Sequence, residues 1–204
     1  MRTEVTSVET LRAIVGEPVE AVRRKVTAQL SEAQQEWLTA SPLGFVATTD
    51  GDGRVDVSPK GDPPGFVHVI DDRTIAIPER PGNKRVDGFL NVLQQPHVGT
   101  VFLIPGRGDT LRINGTGTVL SDADYFDAMT VDGKRPILAL EIAVEEVFFH
   151  CAKAFLRSNA WRPATWDPTS VPSVAQLAKA VKPDMSDADL EKYYAEDNMR
   201  KALY

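Results

Sequence analysis

The stretch Leu43-Gly44-Phe45-Val46-Ala47-Thr48-Thr49-Asp50-Gly51-Asp52-Gly53-Arg54-Val55-Asp56-Val57-Ser58 decides the fold class of this chain. Two short runs rich in β-branched residues flank Asp50-Gly51-Asp52-Gly53, whose glycines accept the positive φ angles that tight hairpin turns require. Alternation in the second run predicts Val55 and Val57 facing a core, with Ser58 and Lys60 on the polar side at the strand end. Working outward, the same grammar repeats. Gly61-Asp62-Pro63-Pro64-Gly65 breaks the chain before a predicted strand at Phe66–Ile70, and Asp71-Asp72-Arg73 turns it into Thr74–Pro78. Pro105-Gly106-Arg107-Gly108-Asp109 joins Val98–Ile104 to Thr110–Leu120, and a last strand is expected from about Ile137 to Phe149. Seven strands at meander spacing predict a mainly β, α+β domain closed as an antiparallel barrel or sandwich.

Helical patterns flank the strands. Ser7 is placed to cap a helix carrying Leu11, Ile14 and Val15, which Gly16 and Pro18 end. A second helical run extends from Val19 to Ala40, with Ser31 as a possible internal cap. Among the strands, a helix is expected over Lys84–Leu93, with Asn83 at its N-cap and Pro96 beyond its end. Two short helical patterns lie near Val174–Ala180 and Ala188–Ala195. The chain therefore divides into an N-terminal helical segment packed on the barrel (1–40), the barrel itself (41–162) and a helical tail of the same domain (163–204).

Composition narrows the function. Of 204 residues, 42% are hydrophobic and 25% charged, which suits a folded domain and leaves no run of about 20 apolar residues for a membrane span. Twenty-three basic residues against 29 acidic ones leave a net charge of −6, without the basic footprint of a general nucleic-acid binder. A single cysteine, Cys151, and no apolar signal core after Met1 point to a cytoplasmic protein. With one Cys and three widely spaced His, no metal site is expected. Cys151 reads as a buried filler, and His150 as a hydrogen-bonded core or strand-end residue.

Four segments carry candidate chemistry. In Glu79-Arg80-Pro81-Gly82-Asn83-Lys84-Arg85 a strand turns into a helix whose expected first turn is basic, against the helix dipole. An anion bound in front of Lys84 and Arg85 would reverse that penalty. A solvated basic turn balanced by Glu79 explains the same residues. Along Thr110–Val119, alternation places Leu111 and Ile113 on one face, and Thr110, Arg112, Asn114, Thr116 and Thr118 on the other. That polar face suits a hydrogen-bonding ligand or plain solvent, while Gly115 and Gly117 permit a close approach. Val57, Ser58 and Lys60 end a strand on the polar side. Beyond the last strand, Trp161 is placed to lie over a flat aromatic group or to pack. No G-x-G-x-x-G, phosphate-loop or G-x-S-x-G pattern occurs.

Taken together, Ser41-Pro42 through Thr49, Asp56-Val57-Ser58-Pro59-Lys60-Gly61-Asp62-Pro63-Pro64-Gly65-Phe66, Pro78 through Asn91, Pro105 through Gly115 and His150 through Trp161 resemble the pyridoxamine 5′-phosphate oxidase-like flavoproteins. The resemblance spans roughly residues 20–162 and is closest to a bacterial, FMN-binding subgroup. It implies an FMN-binding split β-barrel, and a homodimer with FMN in clefts at the subunit interface. It implies that Asn83, Lys84 and Arg85 hold the 5′-phosphate, and that Val57, Ser58 and Lys60 meet the isoalloxazine edge and ribityl chain. Thr110 and Arg112 would come from the partner subunit, and Trp161 would lie near the ring. The Arg-Leu-His-Asp-Arg-like ending with which true oxidases contact their substrate is missing, so vitamin-B6 phosphate oxidation is not implied. The expectation is an FMN-dependent oxidoreductase with a small-molecule substrate still to be identified and no assigned acid or base. The alternatives are a reductase using the deazaflavin F420 and a non-catalytic flavin-storage protein.

Overall fold

Turn chemistry sets the sheet. In the computed structural model, which describes residues 1–204, Asp50 closes the first hairpin by accepting the backbone N–H groups of Asp52 and Arg54 on its carboxylate. That turn joins β1 (Leu43–Thr49) to β2 (Val55–Gly61) in antiparallel register, Val46 opposite Ser58. Then follow β3 (His68–Val69), β4 (Thr74–Glu79), β5 (His97–Leu103), β6 (Thr110–Leu120) and β7 (Leu138–His150). All pairings are antiparallel, and one seven-stranded sheet results with the order β2-β1-β5-β6-β7-β4-β3. Seven strands were expected, and their bounds differ from the sequence reading by a few residues at most, chiefly at β2 and β3.

The sheet curls around a core of 18 buried residues, among them Val46, Ile75, Ile77, Phe102, Leu111, Ile113, Ile142 and Val147. Burying apolar area of this kind stabilises by about 25 cal/mol per Å². Tight curling requires a bulge between Asn114 and Gly115, opposite β7. There a Cβ on Gly115 would stand 2.0 Å from the Ala143 carbonyl oxygen. Gly115 is thus needed for the chain's own strand crossing, and the buried Gly117 packs against the Leu140 and Val98 side chains.

The N-terminal residues form three helices, α1 (Val8–Val15), α2 (Glu20–Arg24) and α3 (Glu32–Ala40). The expected run from Val19 to Ala40 is therefore broken, and the Ser31 capping box starts a new helix. Between them, Thr27 exchanges backbone hydrogen bonds with Val147 (3.1 and 2.7 Å), which draws the chain out of helix. Trp37 and Leu38 anchor α3 in the core, whereas α1 and α2 bury no residue. The tail carries α5 (Lys153–Ser158), α6 (Val174–Ala178), α7 (Asp187–Tyr194) and α8 (Glu196–Arg200). Ala175, Ala178 and Leu190 make a small satellite core there. No helix is long and apolar enough to cross a membrane.

Two readings are corrected at β2. Val55 and Val57 are exposed, and Asp56, Ser58 and Lys60 are the half-buried residues. The register explains the inversion, because Asp56, Ser58 and Lys60 pair with Thr48, Val46 and Gly44, which line the inner face. On an edge strand that face opens onto a cleft as well as a core. Cys151 is also corrected: it is exposed, just past β7.

Candidate functional site

The cleft beside β2 has a volume of about 820 Å³, within the range of small-molecule and cofactor sites. Its floor takes Val46 and Thr48 from β1, its near wall Val57, Ser58 and Lys60 from β2, and its far wall the loop Glu79–Val86. Helix α4 (Asp87–Val92) closes one end with Gly88 and Phe89.

That helix begins three residues later than the sequence suggests. Asn83 does not cap it. Its side chain instead accepts the Arg85 N–H at 3.0 Å, and the cap position falls on Val86. Lys84 (φ 62°) and Val86 (φ 49°) both take the left-handed conformation. For a β-branched residue such as Val86 this is a genuine outlier, and strain of this kind costs on the order of 1–3 kcal/mol. Lys84 and Arg85 therefore stand in the loop and not in the first helical turn, where the acidic Asp87 sits as dipole rules prefer. Arg85 Nε donates to Asp87 at 2.7 Å, with most of the Arg85 side chain in solvent. Lys84 is exposed and has no carboxylate partner.

Opposite the loop, the Lys60 ammonium pairs with Glu79 and lies 5.1 Å from the centre of the Phe89 ring. Ser58 donates to the Asp56 carboxylate at 2.8 Å, and Asn91 reaches Thr48 at 3.0 Å from α4. The cleft thus has one cationic rim at Lys84 and Arg85, and a polar wall in which Glu79 pairs Lys60 while the Asp56 carboxylate is met only by the Ser58 hydroxyl.

Sequence reasoning missed the next layer. Arg80 is largely buried, and its Nε donates to the buried Asp62 at 2.7 Å. Its remaining nitrogens donate to the carbonyls of Lys134 (3.2 Å) and Met129 (2.6 Å). Tyr204 donates its hydroxyl to the other Asp62 oxygen at 2.7 Å and lays its ring 5.6 Å from the Arg80 guanidinium. The bond to Asp62, with burial adding to it, pushes the Tyr204 hydroxyl up to about 12. Nothing local could have signalled a pairing across 142 residues. Arg80, by contrast, stood beside the basic turn in the sequence and needed only its partner.

Thr110, Arg112 and Trp161 lie outside this cleft. Thr110 is buried opposite His150 in the β6–β7 ladder. Arg112 packs its guanidinium 5.1 Å from the Phe148 ring, and its Nε is buried without an acceptor. The indole N–H of Trp161 donates to the Arg107 carbonyl at 2.5 Å, and its ring stacks on Phe155 at 5.6 Å. Trp161 is therefore packed within its own chain. Nearby, Arg107 hydrogen-bonds Asp109 and holds its carboxyl below the usual range. His150 ends β7 exposed.

An antiparallel seven-stranded sheet with flanking helices and a cleft at its first edge strand defines a split-barrel α+β protein. A family model described as pyridoxamine 5′-phosphate oxidase matches residues 30–151, more than half of the chain, and the chain belongs to that family. Its members generally bind flavins and are commonly dimeric. Among solved structures, HupZ from Group A Streptococcus is 22% identical (TM-score 0.47), the match covering 59% of this chain and 93% of that one. A Lactobacillus delbrueckii protein provisionally named a pyridoxamine 5′-phosphate oxidase is 26% identical (TM-score 0.47; 60% and 95% covered). The conserved hypothetical protein Rv2991 from Mycobacterium tuberculosis is 13% identical (TM-score 0.45; 74% and 96% covered). A search of curated proteins gives no match.

Proposed function

We propose that this chain is an FMN-dependent oxidoreductase acting on a small molecule, and that it works as a homodimer with FMN at the subunit interface. One observation carries the reading: a single cleft gathers Val57, Ser58 and Lys60 with Asn83, Lys84 and Arg85, across 820 Å³. Its cationic rim suits a terminal phosphate, with Lys84 unpaired and Arg85 held by only an exposed ion pair. Strain at Lys84 and Val86 fits a loop pre-shaped for a ligand. FMN supplies the electron transfer when bound, and the protein supplies position and electrostatics. Ser58 and Lys60 would meet the ring edge from β2. Lys60 does so as half of an ion pair with Glu79, so its charge is largely compensated.

A second copy is supported by the outer face of the sheet. Pro59, Phe45, Val101, Arg112 and Phe148 are cross-strand neighbours in one row on that face. All but the exposed Pro59 are half-buried, and the buried Arg112 Nε lacks an acceptor. A partner subunit covering this row would take its apolar area out of water at about 25 cal/mol per Å². In that arrangement Thr110 and Arg112 serve the partner's cleft.

The test is spectroscopic. The purified protein is titrated with FMN and with F420, and the complex is then exposed anaerobically to NADH or NADPH. FMN binding with bleaching supports the reading. Preferential F420 binding replaces it with a deazaflavin reductase, and FMN binding that no electron donor bleaches favours storage. Binding of neither sinks the reading.

A further inference from the structure

We infer that Tyr204 is a positioning residue for the anion-gripping loop of the cleft, acting through Asp62 and Arg80. The inference rests on the function proposed above and extends it to the tail of the chain.

The geometry is a three-part clasp. Asp62 follows directly on β2, and Arg80 directly on β4, so the pair joins the two walls of the cleft at their bases. The pair is shielded from water: the Arg80 side chain is 12% exposed and that of Asp62 is 4% exposed. Tyr204 completes it from two directions, a hydroxyl on Asp62 Oδ1 and a ring over the guanidinium. A hydrogen bond to a charged acceptor is stronger than one between neutral groups, and the partly desolvated cation–π contact adds to it. The hydroxyl is pushed up to about 12, so it remains a donor throughout the neutral range.

The loop held by this clasp is short and strained. Only Pro81, Gly82 and Asn83 separate Arg80 from Lys84, and Lys84 and Val86 both sit in the left-handed region. Strained backbone persists only where its surroundings over-determine it. On the α4 side, the buried Phe89 and Val92 and the Asn91 bond to Thr48 hold the helix, while the exposed Arg85–Asp87 pair adds little. The loop is thus pinned at both ends, at the packed α4 and at Arg80, which also bonds the carbonyls of Met129 and Lys134. Removing Tyr204 opens the Asp62–Arg80 pair to water and loosens the Arg80 end of the loop, and with it the position of Lys84 and Arg85. The aromatic end of the cleft, at Ser58 and Phe89, is left in place.

The inference separates a positioning role from general stabilisation. We expect Tyr204→Ala to weaken FMN binding about tenfold and to leave riboflavin, which lacks the phosphate, within twofold of the wild type. Tyr204→Phe keeps the ring over Arg80 and should lose less. Independently of any cofactor, trypsin should cut the apoprotein after Lys84 or Arg85 several-fold faster in Tyr204→Ala than in the wild type. Unchanged FMN affinity and unchanged cleavage in Tyr204→Ala would overturn the inference. Equal losses for FMN and riboflavin would overturn it too, since the effect would then be general loosening. If wild-type protein binds no FMN, the proposed function fails at that step, and the proteolysis result still decides whether Tyr204 holds the loop.

Discussion

Replacing both Lys84 and Arg85 by Ala tests the cationic rim directly. A charge-assisted hydrogen bond contributes about 1.5–3 kcal/mol, so two such bonds to one phosphate contribute about 3–6 kcal/mol. Arg85 must first give up its exposed pair with Asp87, worth about 0–1 kcal/mol. About 3–4 kcal/mol is then a fair net loss, or roughly 100- to 1,000-fold in affinity at 1.4 kcal/mol per tenfold. Both side chains are solvent-exposed, so the melting temperature should barely move. The assay is quenching of flavin fluorescence, with FMN and riboflavin titrated in parallel against wild type and variant. The variant should lose FMN, keep its riboflavin affinity, and show a weaker dependence of FMN binding on salt. Should it hold FMN within a few-fold of wild type, these two residues do not grip the phosphate and the cleft has been assigned its ends wrongly.

Other expectations concern the frame around the cleft. Gly115→Ala forces a methyl group onto the Ala143 carbonyl and should cost about 3 kcal/mol, lowering the melting temperature by roughly 10 °C. A thermal melt within two degrees of wild type would mean that the bulge is not needed there. Arg112→Glu reverses the charge on the outer sheet face, and sedimentation should find the wild type dimeric and the variant monomeric. A monomeric wild type would refute the shared-site arrangement. Tyr204 has a hydroxyl that titrates near 10 when free and near 12 in the fold. Its raised value means that its contribution to stability is whole below pH 10 and is lost as pH climbs toward 12. Denaturation curves at pH 9 and pH 11.5 should therefore show a larger alkaline loss for wild type than for Tyr204→Phe. Equal losses would mean that the hydroxyl is not held by Asp62.

Much of this protein can be read from local chemistry. Asp50-Gly51-Asp52-Gly53 and Pro105–Asp109 announce their turns because a tight reversal needs residues that tolerate special backbone angles or satisfy its amides. Alternation along Thr110–Val119 assigns Leu111 and Ile113 to the core because successive side chains in a strand point opposite ways. The helix boundary at Val86 was hidden, since a β-branched residue in the left-handed region has no local cause. The facing of β2 was hidden for another reason. Its period of two is plain, but which set of residues turns inward depends on the register with β1 and on what the edge strand lies beside.

Seven strands, their turns and the family's motif segments were settled by the chain alone, because each depends on neighbours a few residues apart. Folding decided the rest: that Glu79 neutralises Lys60, that Arg80 pairs with Asp62, and that Tyr204 closes over them from 142 residues away. Charges find such partners only when distant segments meet in a place shielded from water, and no pattern along the chain records where that place will be.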